Sequence, residues 1–192
     1  MSLTVAFEGL PGTGKSTAIK AVKAELEKFE MSVIVIDLDS HRLAPTLRQI
    51  ADDYPAGHPI RLLLLWALRL LQPELIQAMK NQVDLILLDR FWGTTLAYDV
   101  YGHRVPQDFL DWIGLDLNQW RPDVTLLFDA PLEVVKSRQV SMTLTDQQLA
   151  GRIRQGYLRL AKRWRWHKIN ATLTPAAIQQ QCLEVILSKF EL

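Results

Sequence analysis

Apolar residues fall into short dense runs separated by stretches with helical spacing. Residues 3–7 form an apolar run of strand formers that ends at Glu8. Ile19, Val22, Leu26 and Phe29 then recur three or four apart, which predicts a helix over 17–30. Residues 33–37, 85–89 and 124–129 read as three more strands, each ending in an aspartate. Strands without polar alternation belong to a sheet covered on both faces, hence a parallel one.

Between these strands the pattern predicts a short helix near 46–51 inside a loop-like stretch over 38–59. A helix over 60–79 follows, which Pro73 should kink or break. Short helices are expected at 94–101 and 107–115, and another at 132–140. Residues 141–145 read as a polar, mobile stretch and 147–166 as a long basic helix. A last short strand is expected at 169–173, and a closing helix at 175–190 with Pro175 in its first turn. Strands alternating with helices predict an α/β fold with right-handed crossovers. Ligands of such sheets gather at the carboxyl ends of the strands, where Asp37, Asp89 and Asp129 fall.

Composition narrows the function classes. A length of 192 residues suits one domain, and a 48% apolar fraction suits a packed core. Lys and Arg number 22 against 21 Asp and Glu, so the surface is no general polyelectrolyte binder. Cys182 is the single cysteine, which excludes an internal disulfide and a multi-cysteine metal site. It reads as a small apolar residue. The four histidines lack metal-ligand spacing. The start of the chain has no signal-peptide pattern, and the apolar run over 62–71 falls short of a membrane span. A cytoplasmic protein without a membrane segment is expected.

The strongest chemistry lies in Gly9-Leu10-Pro11-Gly12-Thr13-Gly14-Lys15-Ser16, a complete G-x-x-x-x-G-K-[ST] motif between a strand and a helix, with Thr17 next to it. Polyphosphate is a dense anion, and glycines let backbone N–H groups wrap it closely. The helix N-terminus adds aligned dipoles. Lys15 reaches the β- and γ-phosphates, and Ser16 is placed to ligand Mg²⁺. Asp89 ends the third strand, where a P-loop protein commonly keeps a Mg²⁺-binding acid. Arg90 follows, with a planar fork suited to phosphate oxygens. Glu8 reads as a strand-end carboxylate that caps the loop.

These residues, taken in order, resemble the thymidylate kinase branch of the nucleoside monophosphate kinases. Phe7-Glu8-Gly9 leads into the P-loop, and Asp89-Arg90-Phe91 resembles the family's Asp-Arg-aromatic motif. Thr94-Thr95-Leu96-Ala97-Tyr98, residues 121–129, the helix over 133–138, the Arg-x-x-Tyr helix over 154–161 and Asn170-Ala171-Thr172 are similar to its later segments. The resemblance implies a three-layer P-loop NTPase fold: one domain over 1–192, a mainly parallel five-stranded sheet and a short helical lid at about 138–152. It implies ATP with Mg²⁺ as cofactors and phosphoryl transfer to a nucleotide, dTMP to dTDP. By the same resemblance Arg90 holds the acceptor phosphate and Arg69 contacts the base. Trp66 stacks on that base, Phe91 and Tyr98 line the acceptor site, and Ala171 and Thr172 contact adenine. Arg138, or Arg152 or Arg154, comes from the lid toward the transferring group, and a homodimer is implied. The chain departs from the family at Asp37-Leu38-Asp39-Ser40, where an Arg-Glu-Pro-Gly-Gly stretch is usual, and at Asp99, where the family has Gln.

Three other readings stay open. Asp37 and Asp39 suit a kinase of a hydroxyl acceptor, in which an acid orients or deprotonates the hydroxyl. Asp39 is therefore a candidate acceptor-side residue. The same acids also suit a solvated turn with Ser40 as a helix cap. Finally, a nucleotide-binding module need not turn over at all. The basic run over 159–168, interleaved with Trp, reads as the wet face of a helix, with nucleic-acid stacking as its alternative.

Overall fold

The computed structural model describes residues 2–55, 57–106, 121–138 and 143–190. Strands β1 (Leu3–Gly9), β2 (Val33–Ile36), β3 (Leu85–Asp89), β4 (Val124–Asp129) and β5 (His167–Asn170) form one parallel sheet in the order β2-β3-β1-β4-β5. The helices are α1 (Lys15–Lys28), α2 (Ala44–Asp52), α3 (Pro59–Met79), α4 (Trp92–Thr95), α5 (Leu132–Ser137), α6 (Leu144–Trp164) and α7 (Pro175–Leu187). This is the α/β architecture that the alternation predicts.

Side-chain alternation on β1 and β3 builds two cores. Val5, Phe7, Leu85 and Leu87 face the larger one, which includes residues of α1, α6 and α7. Ala6, Ile86 and Leu88 face the smaller one, against Leu75, Ile76 and Met79 of α3. The sheet is therefore covered on both faces, as its uninterrupted apolar strands require.

Local chemistry sets the helix ends. At α3, Ile60 N donates to the His58 side chain, and Pro59 occupies the first turn. At α7, Ala177 N donates to the Thr174 hydroxyl. A reciprocal capping box of Thr143 and Asp146 starts α6. Residues 143–145, expected in a polar stretch, thus begin a helix, while 141–142 lie outside the described residues. The helix expected at 132–140 ends at Ser137. The one expected at 107–115 lies outside the described residues.

Two local expectations need correction. Pro73 does not break α3, which runs through it for 21 residues. Proline removes one backbone bond, to the Arg69 carbonyl. The buried face formed by Trp66, Leu68, Arg69, Gln72 and Pro73 outweighs that loss, because helices in proteins are held mainly by packing. The helix expected at 94–101 starts earlier, as α4, and opens into a π-helical segment over Leu96–Gly102. Such widened turns recur at functional sites. Among the described residues α3 is the one helix long and apolar enough to cross a membrane by length and composition.

Candidate active site

Strand β1 delivers Glu8 and Gly9 to the carboxyl edge of the sheet. Gly9 lies at φ 139°, where a Cβ would collide with the Phe128 carbonyl oxygen, so no other residue fits without strain. Gly12 and Gly14 also have positive φ, and Gly14 opens α1 directly at Lys15. The loop thus presents the free N–H groups of a helix start to the space above the sheet. Lys15 is buried. Its Nζ donates to the Leu10 carbonyl at 2.6 Å and to Thr13 Oγ1 at 3.2 Å. Burial, reinforced by the Arg90 charge, lowers its pKa to about 7.

Ser16 Oγ donates to Asp89 Oδ2 at 3.0 Å, which joins the P-loop to the end of β3. Two adjacent oxygen donors of this kind suit Mg²⁺, a hard cation that is usually held by few protein ligands. Arg90 adopts φ 72°, an uncommon left-handed backbone for a side-chain-bearing residue. Its Nη1 donates to the Gly9 carbonyl at 3.0 Å and to Thr94 Oγ1 at 3.3 Å, and the guanidinium lies 5.9 Å over the Tyr98 ring.

One cavity of about 760 Å³ unites these groups. Pro11, Gly12, Gly14, Lys15, Ser16 and Thr17 line its P-loop side. Asp89, Arg90, Thr94 and Tyr98 line its middle, and Trp66, Arg69 and Asp99 also face it. Arg69 is buried and donates to the Arg90 carbonyl at 3.0 Å and to Gln72 Oε1 at 2.7 Å. Burial lowers its pKa to about 10, still well above neutrality. Trp66 Nε1 donates to Asp99 Oδ2. Burial pushes the Asp99 carboxyl up to about 6.

Not every expected residue reaches this cavity. Gly9, Leu10 and Thr13 shape the loop from beneath. The Phe91 ring packs in the smaller core, and only its backbone serves the site, donating to Glu8. Asp39 is exposed and ion-paired with Arg48. Asp37 accepts from Ser40 Oγ at 2.6 Å and from Asp39 N at 3.0 Å, so these residues make a local turn, and Ser40 does not cap α2. Arg138 Nη1 donates to the Ala171 carbonyl at 2.8 Å and reaches the Gly12 carbonyl at 3.5 Å. It therefore bridges the P-loop to the turn after β5, where Thr172 Oγ1 donates to Asn170 Oδ1. Arg154 forms a two-pronged ion pair with Asp129, and Arg152 donates to the Gly102 carbonyl at 3.0 Å. From the end of α6 into β5, Lys162, Arg163, Arg165 and Lys168 face solvent, while Trp164 and Trp166 pack against the larger core. Cys182 is buried.

Arg48, Arg61 and His103 also line the cavity, and no sequence pattern singled them out. Arg48 lies on the short helix predicted near 46–51, and Arg61 and His103 belong to no motif.

The sequence model for thymidylate kinase matches residues 7–182. Thymidylate kinase of Acinetobacter baylyi is 29% identical over 197 residues, covering 95% of this chain and 97% of that protein. Thymidylate kinase of Janthinobacterium sp. is 30% identical over 198 residues, with 95% of each chain covered. Probable thymidylate kinase 1 of Saccharolobus solfataricus is 28% identical over 194 residues, with 97% of each covered.

Proposed function

Because the chain belongs to the thymidylate kinase family, we infer that it transfers the γ-phosphoryl group of ATP to dTMP, giving dTDP and ADP. The observation that carries this reading is the single cavity in which Lys15 and Ser16 face Asp89, Arg90, Trp66 and Arg69. Donor and acceptor phosphates can meet there without crossing bulk water.

The P-loop amides and Lys15 cradle the donor phosphates. Ser16 and Asp89 would hold Mg²⁺, which when bound neutralises charge on the phosphate oxygens. Arg90 holds the acceptor monophosphate, and Arg48 on the same cavity wall supplies a second fork, steadied by Asp39. Tyr98 packs beside the sugar, and Trp66 with Arg69 receives the base. Asp99 Oδ2 is taken by Trp66, which leaves Oδ1 to accept the ring N–H of thymine. Ala171 and Thr172 flank adenine. Arg138, which lies outside the cavity and bonds the Ala171 and Gly12 carbonyls, is the candidate lid arginine for the transferring group, with the lid at about 138–152. A monophosphate acceptor is already anionic, so it needs arginines more than a base, and this site supplies arginines. The hydroxyl-acceptor reading loses ground accordingly, since Asp37 and Asp39 lie outside the cavity. A cytoplasmic enzyme that dimerises completes the reading.

Acceptor-dependent ADP release tests it. Release stimulated by dTMP but not by thymidine is expected. Stimulation by thymidine or a hydroxylated metabolite and not by dTMP would overturn it.

A further inference from the structure

Arg90 is held by Arg69 and Thr94, which line the cavity, and by Phe7, Glu8 and Tyr157, which do not. Its left-handed turn is fixed by three bonds. Arg90 N donates to the Phe7 carbonyl at 3.1 Å, Arg69 Nη1 donates to the Arg90 carbonyl at 3.0 Å, and Phe91 N donates to Glu8 Oε1 at 2.9 Å. The guanidinium is fixed through the same carboxylate. Glu8 Oε2 accepts from Thr94 Oγ1 at 2.7 Å and from the Tyr157 hydroxyl at 3.3 Å. Those two hydroxyls lie 2.8 Å apart, and Arg90 Nη1 donates to both, at 3.3 and 3.4 Å.

Glu8 and Tyr157 are each 1% exposed. Thr94 N also donates to Glu8 Oε1, so the carboxylate accepts four bonds. Burial still raises the pKa of Glu8, and it raises that of Tyr157 well above the ordinary phenol value. A buried carboxyl and a buried phenol are expensive where apolar side chains pack well. What their bonds have in common is Arg90, reached from its backbone on one side and its side chain on the other.

We propose that Glu8 and Tyr157 are positioning residues that set the orientation of Arg90 toward the acceptor phosphate. This rests on the reading of Arg90 given above. Glu8 fixes the turn that projects the side chain, and the Tyr157–Thr94 hydroxyl pair fixes the angle of the fork. Without the Tyr157 hydroxyl, Arg90 remains present and charged but samples more orientations. Acceptor binding then weakens while the ATP side is untouched.

Steady-state kinetics on the full chain with dTMP and ATP test this through a double-mutant cycle. Tyr157→Phe keeps the ring and removes one hydroxyl. It should raise the KM for dTMP by about tenfold, the scale of a lost bond to a charged group, with the KM for ATP unchanged. In an Arg90→Ala background, Tyr157→Phe should add nothing to the KM for dTMP. If Arg90→Ala itself leaves that KM unchanged, the acceptor role of Arg90 fails. If Arg90→Ala raises it but Tyr157→Phe has no effect, or adds its full effect in the Arg90→Ala background, the positioning role is overturned and the acceptor role stands. Should Tyr157→Phe fold poorly, Thr94→Val opens the same hydroxyl pair and carries the same expectations.

Discussion

Lys15 Nζ lies against the Leu10 carbonyl in a buried position, and this links nucleotide binding to protons. With a pKa near 7, much of Lys15 is uncharged at pH 8 before ATP arrives. The polyphosphate charge favours the ammonium and raises that pKa, so binding at pH 8 should take up a proton, whereas binding at pH 6 should take up none at Lys15. Calorimetry of ATP binding at pH 8 in two buffers of different ionisation enthalpy checks this. Lys15→Arg should abolish the buffer dependence, because guanidinium stays charged; equal heats in both buffers for the unmodified chain would refute it. Lys15→Ala should lower transfer by orders of magnitude with the fold intact, read by turnover beside circular dichroism. Asp99 offers a second test. Trp66 already donates to one of its oxygens, so in Asp99→Asn the amide oxygen must serve Trp66 and the NH₂ must face the cavity. A donor there repels the thymine N3–H and suits the bare N3 of cytosine. Relative kcat/KM should therefore move from dTMP toward dCMP by one to two orders of magnitude, about the 1–3 kcal/mol of one well-placed bond. Unchanged discrimination between the two nucleotides would remove Asp99 from base reading.

At the scale of elements, the capping box of Thr143 and Asp146 starts α6, the helix that carries Tyr157. Thr143 Oγ1 donates to Asp146 Oδ2 at 2.6 Å, and Asp146 N donates back to Thr143 Oγ1 at 3.1 Å. Thr143→Ala should cost about 1 kcal/mol, or roughly 2–4 °C in Tm for a chain of this size. Amide exchange should quicken at Asp146 and Gln147, while amides near Tyr157 keep their protection. Thr143 also shows where the sequence is hard to read. Residues 141–145 look like a polar connector, and only the partnership with Asp146 makes Thr143 a helix start. The strands were legible because burial on both faces leaves an unbroken apolar run, and the P-loop because its glycines answer a backbone need. Continuity through Pro73 was not legible, since it depends on what α3 packs against. The π-helical turn over Leu96–Gly102 was not legible either, because one extra residue per turn leaves no periodic mark in a segment this short. The site divides the same way. Lys15, Ser16, Asp89 and Arg90 sit in motifs, and Tyr157 in the Arg-x-x-Tyr helix, whereas Arg48 and Asp99 gain their proposed roles only from the residues that surround them in the fold.

On the whole molecule, five of the eight exposed large apolar side chains among the described residues lie on α2, α3 and the turn before α2. Leu43, Ile50, Ile60, Leu63 and Leu70 are each 41–47% exposed. A formal charge of +1 puts little electrostatic repulsion between two copies. A homodimer that covers α3 with α3 of a second copy would bury this patch isologously, the commonest arrangement for a soluble oligomer. The same helix carries Trp66 and Arg69 into the cavity, so that dimer face and the proposed acceptor wall would be two sides of one element. Sedimentation at micromolar concentration should then report twice the 22.0 kDa chain mass. Leu63→Glu combined with Leu70→Glu should give a monomer, because burying two carboxylates opposite their own copies is prohibitive. That monomer should lose affinity for dTMP more than for ATP, since α1 and the P-loop stand on another part of the sheet. A unit-mass species for the unmodified chain would rule out the dimer. A double variant that becomes monomeric with the KM for dTMP unchanged would show instead that α3 holds the acceptor wall without its partner.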